Sequence, residues 1–417
     1  MSQKLKILFA AVLMWGLPAT GWPNEVGRLE DQFKALIQKG RALYLHYCAH
    51  CHGLTGNGDG YNADHLDKSP AELSNPEFTK KKSNEQIFRA IKLGGAGVRK
   101  SHLMPAFGRT LSEAETWSLV AYIRFLGRDH DQPVFLPEDV KRGRPHTPTL
   151  EPGVMEAFRK WHHEKGDDPK VLGDGRWLFR EKKSCFACHT VNGEGGEVGP
   201  DLSRAGFMFT PGWIYSWIRS PQRVKPQTKM PTIGLDDTES RLITAYLSNL
   251  GEVKRPADWE PYLKAGGDAD NGKKLFFDAK GNAYCSKCHS IQGKGGQVGP
   301  DLSYVGVSRT RPFILESILA PKEVITVGYS SVLILTQAGR FLTGVKVNED
   351  DKSIDIINKD GENIHVEKDD IKKFKTQEIS IMPGNFGDIL SVQEIRDILT
   401  YLTSLPPVAS EFSAIKR

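Results

Sequence analysis

The chain has 417 residues, a formal charge of +5, 39% hydrophobic and 26% charged residues. That is ordinary globular material, long enough for about three domains. Its basic excess is too small to argue for a nucleic-acid partner, and its one long apolar run is too short for the roughly 20 residues a bilayer crossing needs.

That run lies in residues 1–21, which read as an export signal: Lys4 and Lys6, then the apolar Ile7–Leu17, then Ala19-Thr20-Gly21 before Trp22. Cleavage there removes two lysines, taking the +5 to +3. No cysteine follows the run, so a lipid anchor on cysteine is not expected; an uncleaved anchor is the alternative.

The remainder falls into three segments of one design, expected at 27–128, 171–251 and 271–405. Each opens on a Gly-x-x-Leu-aromatic pattern: Gly40 to Tyr44, Gly175 to Phe179, Gly272 to Phe276. At helical spacing, the Leu and the aromatic face a core. Each then carries a Cys-x-x-Cys-His pentapeptide: Cys48-Ala49-His50-Cys51-His52, Cys185-Phe186-Ala187-Cys188-His189 and Cys285-Ser286-Lys287-Cys288-His289. Each closes on an apolar helix, marked by Trp117 to Leu126, Leu242 to Leu250, and Ile395 to Leu402. Pro-rich residues 131–170 read as a linker with one short helix around Met155–His163, and 253–270 as a second linker. Residues 406–417 read as a tail. Within the third segment, 329–375 changes to alternating apolar residues with Asp and Gly turns, a pattern for five short strands. The strands are Tyr329–Thr336, Phe341–Val347, Ser353–Ile357, Asn363–Val366 and Ile371–Phe374.

All six cysteines are used by the pentapeptides, and His is only 12 of 417 residues. Two thiols at i, i+3 can add across the vinyl groups of a haem, and the adjacent imidazole then falls beneath the iron. Three covalently bound haem c groups are therefore expected, through Cys48 and Cys51, Cys185 and Cys188, and Cys285 and Cys288, with His52, His189 and His289 as proximal ligands. A zinc ribbon needs two pairs much closer together than Cys51 and Cys185, and an odd number of pairs leaves one over; a thioredoxin-like dithiol would occur once, in a βαβ setting.

The sixth ligand separates a carrier from an enzyme. Beyond residue 21 there are five methionines, and three precede proline: Met104, Met230 and Met382. Each lies in a glycine-containing loop before a closing helix, where proline stiffens the loop that presents the thioether. Met208 competes with Met230 but lacks the proline. His46, His50 and His102 keep bis-histidine ligation open in the first segment, and His162-His163 reads as solvated surface.

These features resemble class I cytochrome c domains: haem motif after the first helix, proline loop, Met-Pro loop, closing helix. The resemblance implies that a proline carbonyl accepts the bond from each proximal imidazole: Pro200 and Pro300, from the repeated Val-Gly-Pro-Asp-Leu-Ser at 198–203 and 298–303, and Pro70. The third segment is similar to a haem-binding domain common in planctomycetes and verrucomicrobia, often fused to dehydrogenase-like propellers. The fold class implied is mainly α: three tandem class I cytochrome c domains, the third with a small antiparallel β insert. The function implied is that of an exported, soluble, periplasmic electron carrier, or the cytochrome subunit of an oxidoreductase, between a donor dehydrogenase and an acceptor oxidase or reductase. A peroxidase-like enzyme with one five-coordinate haem is the alternative. The insert reads as a lid over the third haem or as a docking module for a dehydrogenase.

Overall fold

The computed structural model describes residues 22–129, 132–145, 153–251, 257–326, 328–350 and 352–405. The expected signal at 1–21 and tail at 406–417 lie outside these residues. The described residues fall into two units, one within Met1–Ser203 and Tyr215–Tyr246, the other within Arg204–Ile214 and Leu247–Arg417. The fold is mainly α, with small antiparallel sheets, as expected.

In the first unit, helix α1 (Trp22–Tyr47) packs on α3 (Glu113–Leu126), with α2 (Asn84–Gly97) beside them. The Leu43, Tyr44, Ile91, Leu119, Val120 and Ile123 side chains fill their common core. Residues 132–145 run along this bundle as an extended strap. Val134 enters the core, and Arg144 makes a two-pronged bond to Glu115, at 3.0 Å from Arg144 Nη2 to Oε1. Then come α4 (Val154–Lys165), α5 (Pro169–Trp177) with a continuing π-type turn at Leu178–Lys182, α6 (Pro211–Arg219) from Tyr215 on, and α7 (Asp237–Ser248) up to Tyr246. Met155 and Phe158 of α4 pack on Tyr215, with the Phe158 and Tyr215 rings stacked at 4.2 Å.

In the second unit, α8 (Ala269–Phe277) packs on α10 (Val392–Ser404), with α9 (Arg311–Leu319) alongside. Phe276, Leu315, Ile395 and Leu399 are at the centre of its core. Strands β1 (Ser331–Thr336), β2 (Phe341–Glu349), β3 (Ser353–Ile357), β4 (Asn363–Glu367) and β5 (Ile371–Thr376) form one antiparallel sheet, in the order β4-β3-β2-β1-β5. The observed strands match the expected ones to within two residues at either end. Val332, Ile334, Ile354, Ile356 and Val366 make its own small core.

One packing device recurs three times. A Cβ on Gly40 would stand 2.0 Å from Ser118 O, on Gly175 2.1 Å from Leu242 O, and on Gly272 2.0 Å from Asp397 O. The opening glycine of each segment is therefore where the first helix touches the backbone of its closing helix, a spacing that any side chain would prevent. The closing helices also start alike. Ser112 with Glu115, Asp236 with Glu239, and Ser391 with Glu394 form reciprocal caps, each acid accepting from the capping residue's amide and each capping oxygen from the acid's.

Candidate functional site

The three pentapeptides fold into the same turn. Cys51 N donates to Cys48 O, Cys188 N to Cys185 O and Cys288 N to Cys285 O, each at 3.1 Å. The following His52, His189 and His289 amides reach the same carbonyls at 2.9, 3.0 and 2.9 Å. All six cysteines are free thiols. Burial pushes the Cys48, Cys185, Cys188 and Cys285 thiols up to about 12, and raises Cys51 and Cys288 as well. An attacking dithiol needs the opposite, a depressed pKa. Among the described residues no cluster of His, Cys, Asp and Glu is placed to hold a metal ion by itself.

Each imidazole is fixed through one nitrogen. His189 Nδ1 lies 2.9 Å from Pro200 O and His289 Nδ1 2.8 Å from Pro300 O, the partners the resemblance implies. In the first segment the partner is Ala71 O, at 2.9 Å from His52 Nδ1, which corrects the expectation for Pro70. Pro70 O turns instead toward Gly58, where a Cβ would come within 2.7 Å of it, so the next carbonyl takes the ring. With Nδ1–H donating to a carbonyl, Nε2 carries the lone pair. Burial lowers the pKa of all three imidazoles, against the pull of those carbonyls, and favours the neutral form that binds metals. Gly199 and Gly299 lie against the rings: a Cβ would stand 2.4 Å from His189 Cε1 and 2.6 Å from His289 Cε1. Three turns with paired free thiols, and neutral imidazoles oriented by carbonyl and glycine, are a donor set that fits covalently attached haem.

The Met-Pro loops are tied locally. Gly95 N donates to Met104 O at 3.0 Å, while Met230 N and Met382 N each bond a hydroxyl two residues back, Thr228 Oγ1 and Ser380 Oγ, at 3.2 Å. Met230 Sδ accepts from Trp217 Nε1 at 2.9 Å. Met208, its competitor, is buried in the second unit's core among Phe207 and Phe313. His162 is not solvated as expected: it is half-buried against the Phe158 ring at 5.5 Å, while His163 is exposed. His50 Nδ1 and His102 Nε2 are buried without hydrogen-bond partners.

The five-stranded sheet bears on the third turn. Val345 and Ile357 pack with Val298, Cys288, Tyr329 and Ile381, and Lys287 Nζ meets Asp360 Oδ1 at 3.3 Å. Ala71, Gly199, Gly299 and Asn62, which touches Cys51 and Ala187, were not marked by sequence reasoning. The repeated Val-Gly-Pro was the one local signal that could have singled out the two glycines.

A family model described as cytochrome c oxidase, cbb3-type, subunit III matches residues 35–123, and one described as cytochrome c matches 173–251. One subunit of the nitric oxide reductase of Cereibacter sphaeroides is 33% identical over 106 residues, 22% of this chain and 67% of its own length. Among solved structures, the reducing HAO-like protein complex of Kuenenia stuttgartiensis aligns over 50% of this chain and 94% of its own. At 18% identity and a TM-score of 0.18, that overlap is too loose to bear on the fold.

Proposed function

The chain belongs to the cytochrome c family, and from that premise we propose that it is an exported tri-haem electron-transfer protein. The observation that carries the count of three is the attachment turn itself, repeated with the same two backbone bonds at Cys48, Cys185 and Cys285. Domains at 27–128, 171–251 and 271–405 each hold one haem c, through the cysteine pairs and through His52, His189 and His289. Haem supplies a one-electron iron couple. The chain's own residues would attach it through the cysteine pairs and orient the proximal imidazoles through Ala71, Pro200 and Pro300. Met104, Met230 and Met382 are the sixth ligands in this reading; a thioether favours the reduced iron and raises its potential.

The partners are a donor dehydrogenase and an acceptor oxidase or reductase, met in the periplasm or an equivalent compartment. The similarity to one part of a nitric oxide reductase supports a role as the cytochrome component of a larger oxidoreductase. Among the described residues no helix is long and apolar enough to cross a membrane. The sheet's packing on Cys288 favours the lid reading for 329–375 over docking.

The spectrum tests this function. Three methionine-ligated haems give a wholly low-spin oxidised protein with the weak red Met-to-iron band, and Met230→Ala converts one haem to high spin. A full high-spin haem in the unaltered protein, with peroxide turnover, would establish the peroxidase-like alternative.

A further inference from the structure

The loops that follow the first two pentapeptides meet at one side chain. Asn62, fully buried, points its amide nitrogen at both attachment turns: Nδ2 lies 3.4 Å from Cys51 Sγ and 2.9 Å from Ala187 O. Its Oδ1 accepts from Glu197 N at 2.8 Å, so both ends of the amide are engaged. Ala187 stands between Cys185 and Cys188, and its carbonyl is bonded directly to the nitrogen of Cys188. The second loop is shaped to this contact. A Cβ on Gly196 would lie 2.1 Å from Ala187 O and 2.7 Å from Asn62 Oδ1, so only glycine leaves room for the carboxamide.

The Met-Pro loops join the same contact from both sides. Ser184 Oγ, next to Cys185, donates to the carbonyl of His102, two residues before Met104, at 2.8 Å. Thr232 N, beside Met230-Pro231, donates to Thr110 Oγ1 at 2.9 Å. The two halves of the first unit are therefore joined near their attachment turns by Asn62 and near their methionine loops by these two bonds. Between Cys51 and the Cys185–Cys188 turn, one buried amide spans the gap.

We propose that Asn62 is a positioning residue that couples the first two haems, holding the thioether edge at Cys51 against the turn that carries Cys188. The proposal rests on the haem-attachment reading above. The step it serves is a transfer of one electron between the two irons, one oxidised as the other is reduced, with no bond made or broken and no proton moved. The contact route runs from Cys51 Sγ through the Asn62 carboxamide to the Ala187 carbonyl and the Cys188 backbone. The neutral amide suits this place. It donates to a sulfur and a carbonyl and accepts from an amide, a combination that neither an aspartate nor an apolar side chain supplies.

The test uses the full-length, haem-loaded protein. In the oxidised, unaltered form, paramagnetic resonance is expected to show spin–spin broadening between one pair of haems, and the absence of any coupled pair would overturn the proposal without any variant. Asn62→Leu keeps the branched shape and the number of side-chain heavy atoms and removes all three polar contacts. It is expected to slow electron exchange between the first two haems several-fold after a flash-reduction pulse and to weaken the spin–spin broadening. The third haem's potential should stay where it was. Asn62→Asp retains the acceptor for Glu197 N but loses the donor, and it is expected to slow exchange in the same direction. Unchanged exchange and broadening in a folded Asn62→Leu protein would leave Asn62 a purely structural residue and refute the coupling. Intact mass keeps the two levels apart: a protein lacking haem at Cys48/Cys51 or Cys185/Cys188 overturns the attachment reading, whereas full loading with unchanged coupling overturns only the role of Asn62.

Discussion

Replacing Gly199 by Ala tests how the second imidazole is held. A Cβ there would stand 2.4 Å from His189 Cε1 and 2.6 Å from Nδ1. Ordinary contact begins near 3.4 Å, so the ring must retreat by about 1 Å or the backbone must yield. A retreat of that size stretches the 2.9 Å contact from Nδ1 to Pro200 O, at most to roughly 3.9 Å, and weakens or breaks the bond. The loss of one such bond costs about 0.5–1.5 kcal/mol of stability. It also makes the imidazole a weaker donor to iron, because a carbonyl on Nδ1–H raises ligand basicity. A weaker donor disfavours the oxidised iron. The second haem's potential is therefore expected to rise by an amount on the order of tens of millivolts, given that a tenfold change in a one-electron equilibrium is about 59 mV. A spectroelectrochemical titration against the unaltered protein reads this directly, and Gly299→Ala should do the same to the third haem. A folded Gly199→Ala protein with all potentials unchanged would refute the account of the glycine cradle.

Two further outcomes follow from the packing. Arg124 and Asp129 form a buried ion pair at 2.7 Å, with 2% and 0% of their side chains exposed. Arg124→Met leaves a buried carboxylate without this guanidinium and is expected to destabilise the first segment by about 3–5 kcal/mol in denaturant melts. Arg124 also donates to Thr79 O, Lys82 O and Asn84, so the loss is not confined to the pair; an Arg124→Met melt like that of the unaltered protein would contradict its role. Replacing 329–375 by a Gly/Ser linker uncovers Val298 and Cys288 while leaving the α8–α10 core in place. The third haem's potential is expected to fall as water approaches; an unchanged potential would mean that the sheet is no lid.

What could be read in the sequence was what neighbouring residues decide. The strands of 331–376 are specified by alternation and by Asp-Gly turn chemistry, both local, and the closing helices by their apolar stripes. The attachment turns were legible because three residues of two types, two cysteines and a histidine at fixed spacing, carry the chemistry. The role of Gly40, Gly175 and Gly272 was not, because it depends on a carbonyl some 70 to 125 residues away. The shift from Pro70 to Ala71 has the same origin: a one-residue change set by where Gly58 comes to lie. Residues 132–145 are rich in proline and charge and fall in a stretch that reads as a semi-extended linker; what the sequence does not show is that Arg144 and Val134 find partners on α3 and in the core beneath it, which pin the segment. Asn62 has no local signal at all, since its partner Ala187 is 125 positions distant.

The central claim is that three attachment turns carry three haems. It is tested most directly by the intact mass of denatured protein made with a haem-attachment system. Three covalent haems are expected, with Cys188→Ala weakening the attachment of one and leaving the other two. A mass corresponding to two haems or none in the unaltered protein would contradict the account.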